Sequence, residues 1–222
     1  MSAPEQGALP EPGLVGSEER GGNVYDKYSS TNPIERRLVE GFLEAVGELV
    51  DRTGAREAHE VGCGEGELSL LMARRGLRVR GSDAFEGVIE VARERAAEEG
   101  LEVGFAARAV QELDPERDSA ELVACCEVLE HLEDPEGALE TLAALAGPWL
   151  LISVPREPIW RALNLIRFSY VGALGNTPGH LNHWSKRGFV RFLERRLEVV
   201  EVRSPLPWTM ALCRSPLQSP AR

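Results

Sequence analysis

Four cysteines in 222 residues are too few for a disulfide framework, and the adjacent Cys125 and Cys126 disfavour an ordinary bridge between themselves. No apolar run approaches the ~20 residues that cross a bilayer. The N-terminus has no basic stretch leading into an apolar one, the mark of a secretory signal. Basic residues are in deficit, 25 Lys and Arg against 36 Asp and Glu, for a net charge of −11 and a pI near 5.0. Without a basic stripe to neutralise phosphates, nucleic acid is excluded as a general partner. There is no internal repeat. These absences point to a reducing cytoplasm. What is present is 43% apolar residues, enough for one core in a domain of ordinary size.

Residues 1–22 are rich in Gly, Pro and Glu and bury too little to offset ordering entropy, so they are expected as a disordered tail, with 215–222 a second loose end. Between them, short apolar runs alternate with helical patterns. A helix is expected over 33–51, with Asn32 as N-cap and Pro33 in its first turn, and a stripe of Leu38, Phe42, Ala45, Val46 and Leu49. Strands are expected at 58–61, 77–82, 103–107, 120–126 and 149–154, with helices at 67–75, 87–99 and 134–146 between them. This alternation implies an α/β fold, a mostly parallel sheet with helices on both faces. Residues 158–174 repeat Ile159, Leu163, Ile166, Tyr170 and Leu174 along one helical face, with Arg161 and Arg167 off it. A helix after Ser185 and strands at 197–202 and 208–214 suggest a terminal antiparallel pair.

The most informative run is Glu60-Val61-Gly62-Cys63-Gly64-Glu65-Gly66. Glycines at alternate positions let a backbone turn tightly and approach a ligand with no Cβ between. The helix that follows points its free N–H groups into the same space. A dinucleotide site wants G-x-G-x-x-G, and here its third glycine would be Glu67. Asp83 ends the second strand, where a carboxylate can accept both hydroxyls of a ribose. Glu60, expected near the mouth, could take hydrogen bonds from an amino-acid ammonium. Together these groups suit a nucleoside bearing an amino acid, which describes S-adenosylmethionine.

On these residues, with Gly81-Ser82-Asp83, Leu122-Val123-Ala124-Cys125-Cys126-Glu127-Val128-Leu129-Glu130-His131 and Ile152-Ser153-Val154-Pro155, the chain resembles the class I S-adenosylmethionine-dependent methyltransferases. The resemblance covers about 55–155. It implies a Rossmann-like, doubly wound sheet of about seven strands, with a methyltransferase domain over 55–214 and a helical insert at about 156–184. It also implies that 23–54 covers the cofactor through Tyr28 and Asn32. In the family the glycine loop, here Gly62, Cys63, Gly64 and Gly66, holds the methionine portion, the acid at Asp83 holds the ribose, and Cys126 lies beside the cofactor. Many members place an Asp after the third strand to hold adenine. Here that position is Arg108, so adenine contacts are expected from the Ala109 and Val110 backbone.

Methyl transfer from a sulfonium is an in-line displacement in which the protein supplies alignment and, where needed, removes a proton. Glu130, His131 and His180 are the catalytic candidates, because imidazole is poised for proton transfer near neutral pH. The alternative for Glu130 and His131 is a hydrogen-bonded turn shaping the pocket. Glu127, Glu130 and His131 could also hold a magnesium ion, since the run resembles that of the 3-demethylubiquinol-type O-methyltransferases. The resemblance points to a small-molecule methyl acceptor, with oxygen as the methylated atom. The alternatives are a quinol or other lipid-like acceptor at a membrane surface touched by 158–174, or a non-catalytic cofactor-binding module.

Overall fold

The computed structural model describes residues 32–166 and 179–216. The N-terminal tail, Tyr28, the second half of the 158–174 pattern and residues 217–222 lie outside them. Helix α1 (Pro33–Thr53) begins as its residues dictate: the Asn32 side chain accepts from the Ile34 N–H at 3.0 Å, Pro33 follows, and Gly54 closes the helix at φ 64°. Val39, Phe42, Val46, Leu49 and Val50 form its buried stripe, each side chain contributing roughly 1.5–3 kcal/mol when fully buried. Leu38 and Ala45 pack at the margin of that stripe.

The strands are β1 (Glu57–Val61), β2 (Arg78–Asp83), β3 (Val103–Ala107), β4 (Ala120–Cys126), β5 (Ala146–Pro155), β6 (Glu198–Arg203) and β7 (Trp208–Arg214). They form one sheet in the order β3-β2-β1-β4-β5-β7-β6, in which β7 runs opposite to the other six strands. Helices α2 (Glu67–Arg74), α3 (Glu86–Glu98), α4 (Pro115–Asp118), α5 (Pro135–Leu145), α6 (Ile159–Ile166) and α7 (Lys186–Leu193) fill the connections. Alternation along the strands separates two cores. One joins Ala58, Leu122, Leu151 and Met210 to α1 and α2. The other joins Val61, Val123, Ile152 and Ala211 to α5 and α7.

Strand β5 starts earlier than the expected 149, because a register shift between Ala120 and Leu122 accommodates Pro148, which has no N–H to give. The loose C-terminal end does not begin at Ser215. That residue is 1% exposed, its hydroxyl donates to Ala143 O at 2.7 Å and its N–H to Pro148 O at 3.0 Å.

His59 on β1 is buried, its ring held between Asp118 O at 2.8 Å and Ser82 Oγ at 2.9 Å. Burial, with the charges of Arg80 and Arg108, lowers its pKa below the usual 6.5. The folded state therefore favours neutral imidazole. Its contribution is complete above pH 6.5 and is lost as the pH falls from there toward the folded value. Thermal melts from pH 7.5 to 5 are expected to show a steeper acid loss for the wild type than for His59→Gln.

Candidate functional site

The order of the sheet reverses between β1 and β4, and the loops leaving those two strands meet at the carboxyl ends where an open α/β sheet keeps its ligand. Gly62, Gly64 and Gly66 all have positive φ, 75°, 50° and 81°. The loop is clamped from below, with the Gly62 and Cys63 N–H groups both donating to Ser82 O, at 2.7 and 3.0 Å. Val128 lies against Gly62, where a Cβ would meet its Cγ2 at 2.2 Å, whereas a Cβ on Gly64 would meet nothing within 4 Å. The loop is thus tight against the protein at Gly62 and open at Gly64.

Asp83 at the end of β2 accepts from Gly64 N at 2.9 Å and Phe85 N at 3.1 Å. Burial raises its pKa, against these backbone donors. Phe85, immediately before α3, is 49% exposed beside that carboxylate. The sequence reading does not single it out, although an apolar residue two places after Asp83 is a usable signal.

Glu60 is not at the mouth. It shares the face of Ala58, is 3% exposed, and accepts from the Ser69 hydroxyl of α2 at 2.5 Å. Burial pushes its pKa up to about 8, helped by the charges of Asp83 and Glu67 and opposed by the Ser69 bond. Arg108 turns its guanidinium to Asp118 at 2.8 Å. The Ala109 N–H is given to Glu112 Oε2 at 2.7 Å, and Val110 is buried. Asn32 is exposed and engaged in capping α1. Burial raises the pKa of the Cys63, Cys125 and Cys213 thiols, and Cys126 is buried, so these thiols are not activated as nucleophiles.

After β4 the chain makes a sharp turn. Glu127 has φ 62°, the only positive φ outside glycine among the described residues. Such strain persists only when neighbours over-determine it. Here the Glu127 N–H donates to Ser153 O at 3.1 Å, while its carboxylate accepts from Ser153 Oγ at 3.1 Å and Trp208 Nε1 at 2.5 Å. Glu127 is thereby separated from the donor set expected of it. The group that does converge is Glu130, His131 and His180, whose ligand-type atoms lie within 4.8 Å of one another. Two imidazoles and one carboxylate suit borderline transition metals, whereas magnesium wants oxygen ligands in octahedral array. These residues do not fit magnesium.

His131 Nδ1 lies 3.1 Å from Gly179 O. A carbonyl only accepts, so in neutral His131 the proton is on Nδ1 and the lone pair on Nε2. His180 sits edge-on to it at 4.9 Å between ring centroids. Burial, then the charges of His131 and His183, lower the His180 pKa to about 4, leaving it neutral at pH 7. From His180 the rings continue: to Trp160 at 6.0 Å, Trp160 to Trp208 at 5.9 Å, and Trp208 to Phe42 at 4.8 Å. This arc is contributed by segments far apart in sequence.

Residues 58–148 match the family described as Methyltransferase domain. The ubiquinone biosynthesis O-methyltransferase of Bordetella avium is 38% identical over 133 residues, 58% of this chain and 55% of that protein, so the match spans about half of the relative's length. Among solved structures, magnesium protoporphyrin IX methyltransferase from Synechocystis PCC 6803 with bound SAH superimposes at TM-score 0.65 with 20% identity, over 85% of this chain and 90% of that one. The cyclase SpnF superimposes at TM-score 0.62 with 14% identity, over 79% and 80%, so the shared fold by itself does not specify the reaction. The seven-stranded order and the glycine loop after β1 accompany this match, so residues 58–148 are similar to methyltransferase domains in sequence and the sheet is similar to them in fold.

Proposed function

We propose that this protein transfers a methyl group from S-adenosylmethionine to a hydroxyl oxygen of a small-molecule acceptor. The observation that carries the reading is that the glycine loop, open at Gly64 and held by Asp83, and the turn that carries His131 leave neighbouring strands at the switch of strand order, with Val128 of that turn against Gly62. S-adenosylmethionine, when bound, supplies an electrophilic methyl group. Gly62, Cys63, Gly64 and Gly66 would hold its methionine portion, Asp83 its ribose, and the exposed Phe85 ring offers a face for adenine. His131 Nε2 takes the acceptor's hydroxyl proton as the oxygen gains the methyl. Neutral His180 beside it adds no competing positive charge. Glu130, 1% exposed, backs the pair.

A release assay for demethylated cofactor, run over hydroxyl-bearing and amine acceptors without added metal, tests the reading. Turnover confined to hydroxyl compounds supports it, and turnover only with amines refutes the choice of oxygen. A lipid-like acceptor is a second reading. It draws on the named ubiquinone relative and on Leu181 and Leu206, 58% and 50% exposed, which flank His180 and Trp208 in sequence. Flotation with anionic vesicles tests it, and a chain that stays unbound argues against it.

Glu60 links the cofactor to pH. In the ligand-free protein its carboxyl is protonated at neutrality. An ammonium bound nearby favours the carboxylate, so binding releases a proton and affinity climbs with pH below about 8. Calorimetry between pH 6 and 7.5 is expected to show tightening of up to about 20-fold, with buffer-dependent heats. A flat profile excludes the linkage.

A further inference from the structure

We propose that Asn182 is a positioning residue that holds His131 in its productive tautomer. The proposal rests on the reading of His131 as the proton acceptor. The turn Leu129–His131 is a single 3-10 turn, and such a turn leaves carbonyls to be satisfied from outside. Residues 179–184 satisfy them. Asn182 Nδ2 donates to Leu129 O at 3.2 Å and to Leu132 O at 2.6 Å. Its backbone N–H and that of Leu181 both donate to Glu130 O, at 3.0 and 2.7 Å. Two carbonyl oxygens facing one amide group fix which end of the side chain is nitrogen.

The consequence lies three residues earlier in the same strap. Gly179 O meets His131 Nδ1 only while the strap keeps this register, and His180 meets His131 and Trp160 under the same condition. Asparagine is the apt residue. It brings two N–H donors on a short stem, where aspartate would set a carboxylate against two carbonyls and serine would bring one donor. The hydrogen bonds of Asn182 go to Leu129, Glu130 and Leu132 and not to the glycine loop or Asp83, so its loss leaves cofactor binding intact and misplaces the base.

The test uses the full chain with Asn182→Ala and Asn182→Ser. Acceptor turnover is compared with the KM for S-adenosylmethionine, and spectra of 15N-labelled histidine report the tautomer. The chain has four histidines, and His131→Gln assigns the resonance. The expected result for Asn182→Ala is a kcat lowered about 10- to 100-fold, the scale of a misplaced reactive group. Its KM for S-adenosylmethionine stays within about twofold, and His131 shows mixed tautomers. Asn182→Ser falls between the two and covers the case in which alanine prevents folding. An unchanged tautomer in the folded variants overturns the proposal, as does a kcat that does not fall. If the wild type turns over no acceptor, the reading of function fails, while the tautomer comparison still decides the role of Asn182.

Discussion

His131→Ala is expected to lower kcat by about 10²–10⁴-fold while leaving the KM for S-adenosylmethionine nearly unchanged. His131 is exposed, its Nδ1 lies 3.1 Å from Gly179 O, and its ring meets that of His180 at 4.9 Å. Thermal melts run beside the kinetics separate a lost base from a loosened turn. His131→Gln keeps hydrogen-bonding capacity but offers no comparable base, so it should be nearly as slow as alanine. His180→Ala should cost less than His131→Ala, because a ring held neutral down to about pH 4 is a poor proton acceptor at pH 7. A variant lacking His131 that turns over at the wild-type rate would remove the proposed base.

Gly62→Ala should strike the cofactor and the fold together. The backbone at φ 75° costs an L-residue about 1–2 kcal/mol. The new methyl would stand 2.2 Å from Val128 Cγ2, and valine is stiff at χ1, so relief must come from the turn after β4. Overpacking of this kind adds about 1–3 kcal/mol. The sum is about 2–5 kcal/mol of stability, readable in denaturant melts, with cofactor affinity falling at least about tenfold as the loop shifts. Gly64→Ala isolates the first cost, since φ 50° is strained there but no atom lies within 4 Å of the added Cβ. Val128→Ala in the Gly62→Ala background should recover part of the loss. Equal melts for the Gly62 and Gly64 variants would refute the close approach.

Much of this was legible in the chain because it is local. The spans 103–107, 120–126 and 208–214 were read at their observed bounds, and Asn32-Pro33 announced its helix start, since each signal lies within a few residues of its effect. The tight turn of the glycine loop and the place of Asp83 at the end of β2 were legible for the same reason, although the loop's partner Val128 was not. Glu60 could have been read as buried, because a period of two places it on the Ala58 face; the missing piece was Ser69 on the following helix. Glu127 could not. Its carboxylate is claimed by Trp208, 81 residues away, and its left-handed backbone is a result of that non-local bond and of Ser153. The same holds for His131, whose orienting carbonyl comes from Gly179, 48 residues on.

The most direct measurement of the central claim is a calorimetric titration of the full chain with S-adenosylhomocysteine, the demethylated product. The account predicts one saturable site, weakened in Asp83→Ala by roughly 1.5–3 kcal/mol, the scale of charge-assisted hydrogen bonds. Absence of saturable binding, or equal affinity in Asp83→Ala, would contradict the glycine loop and Asp83 as the cofactor site.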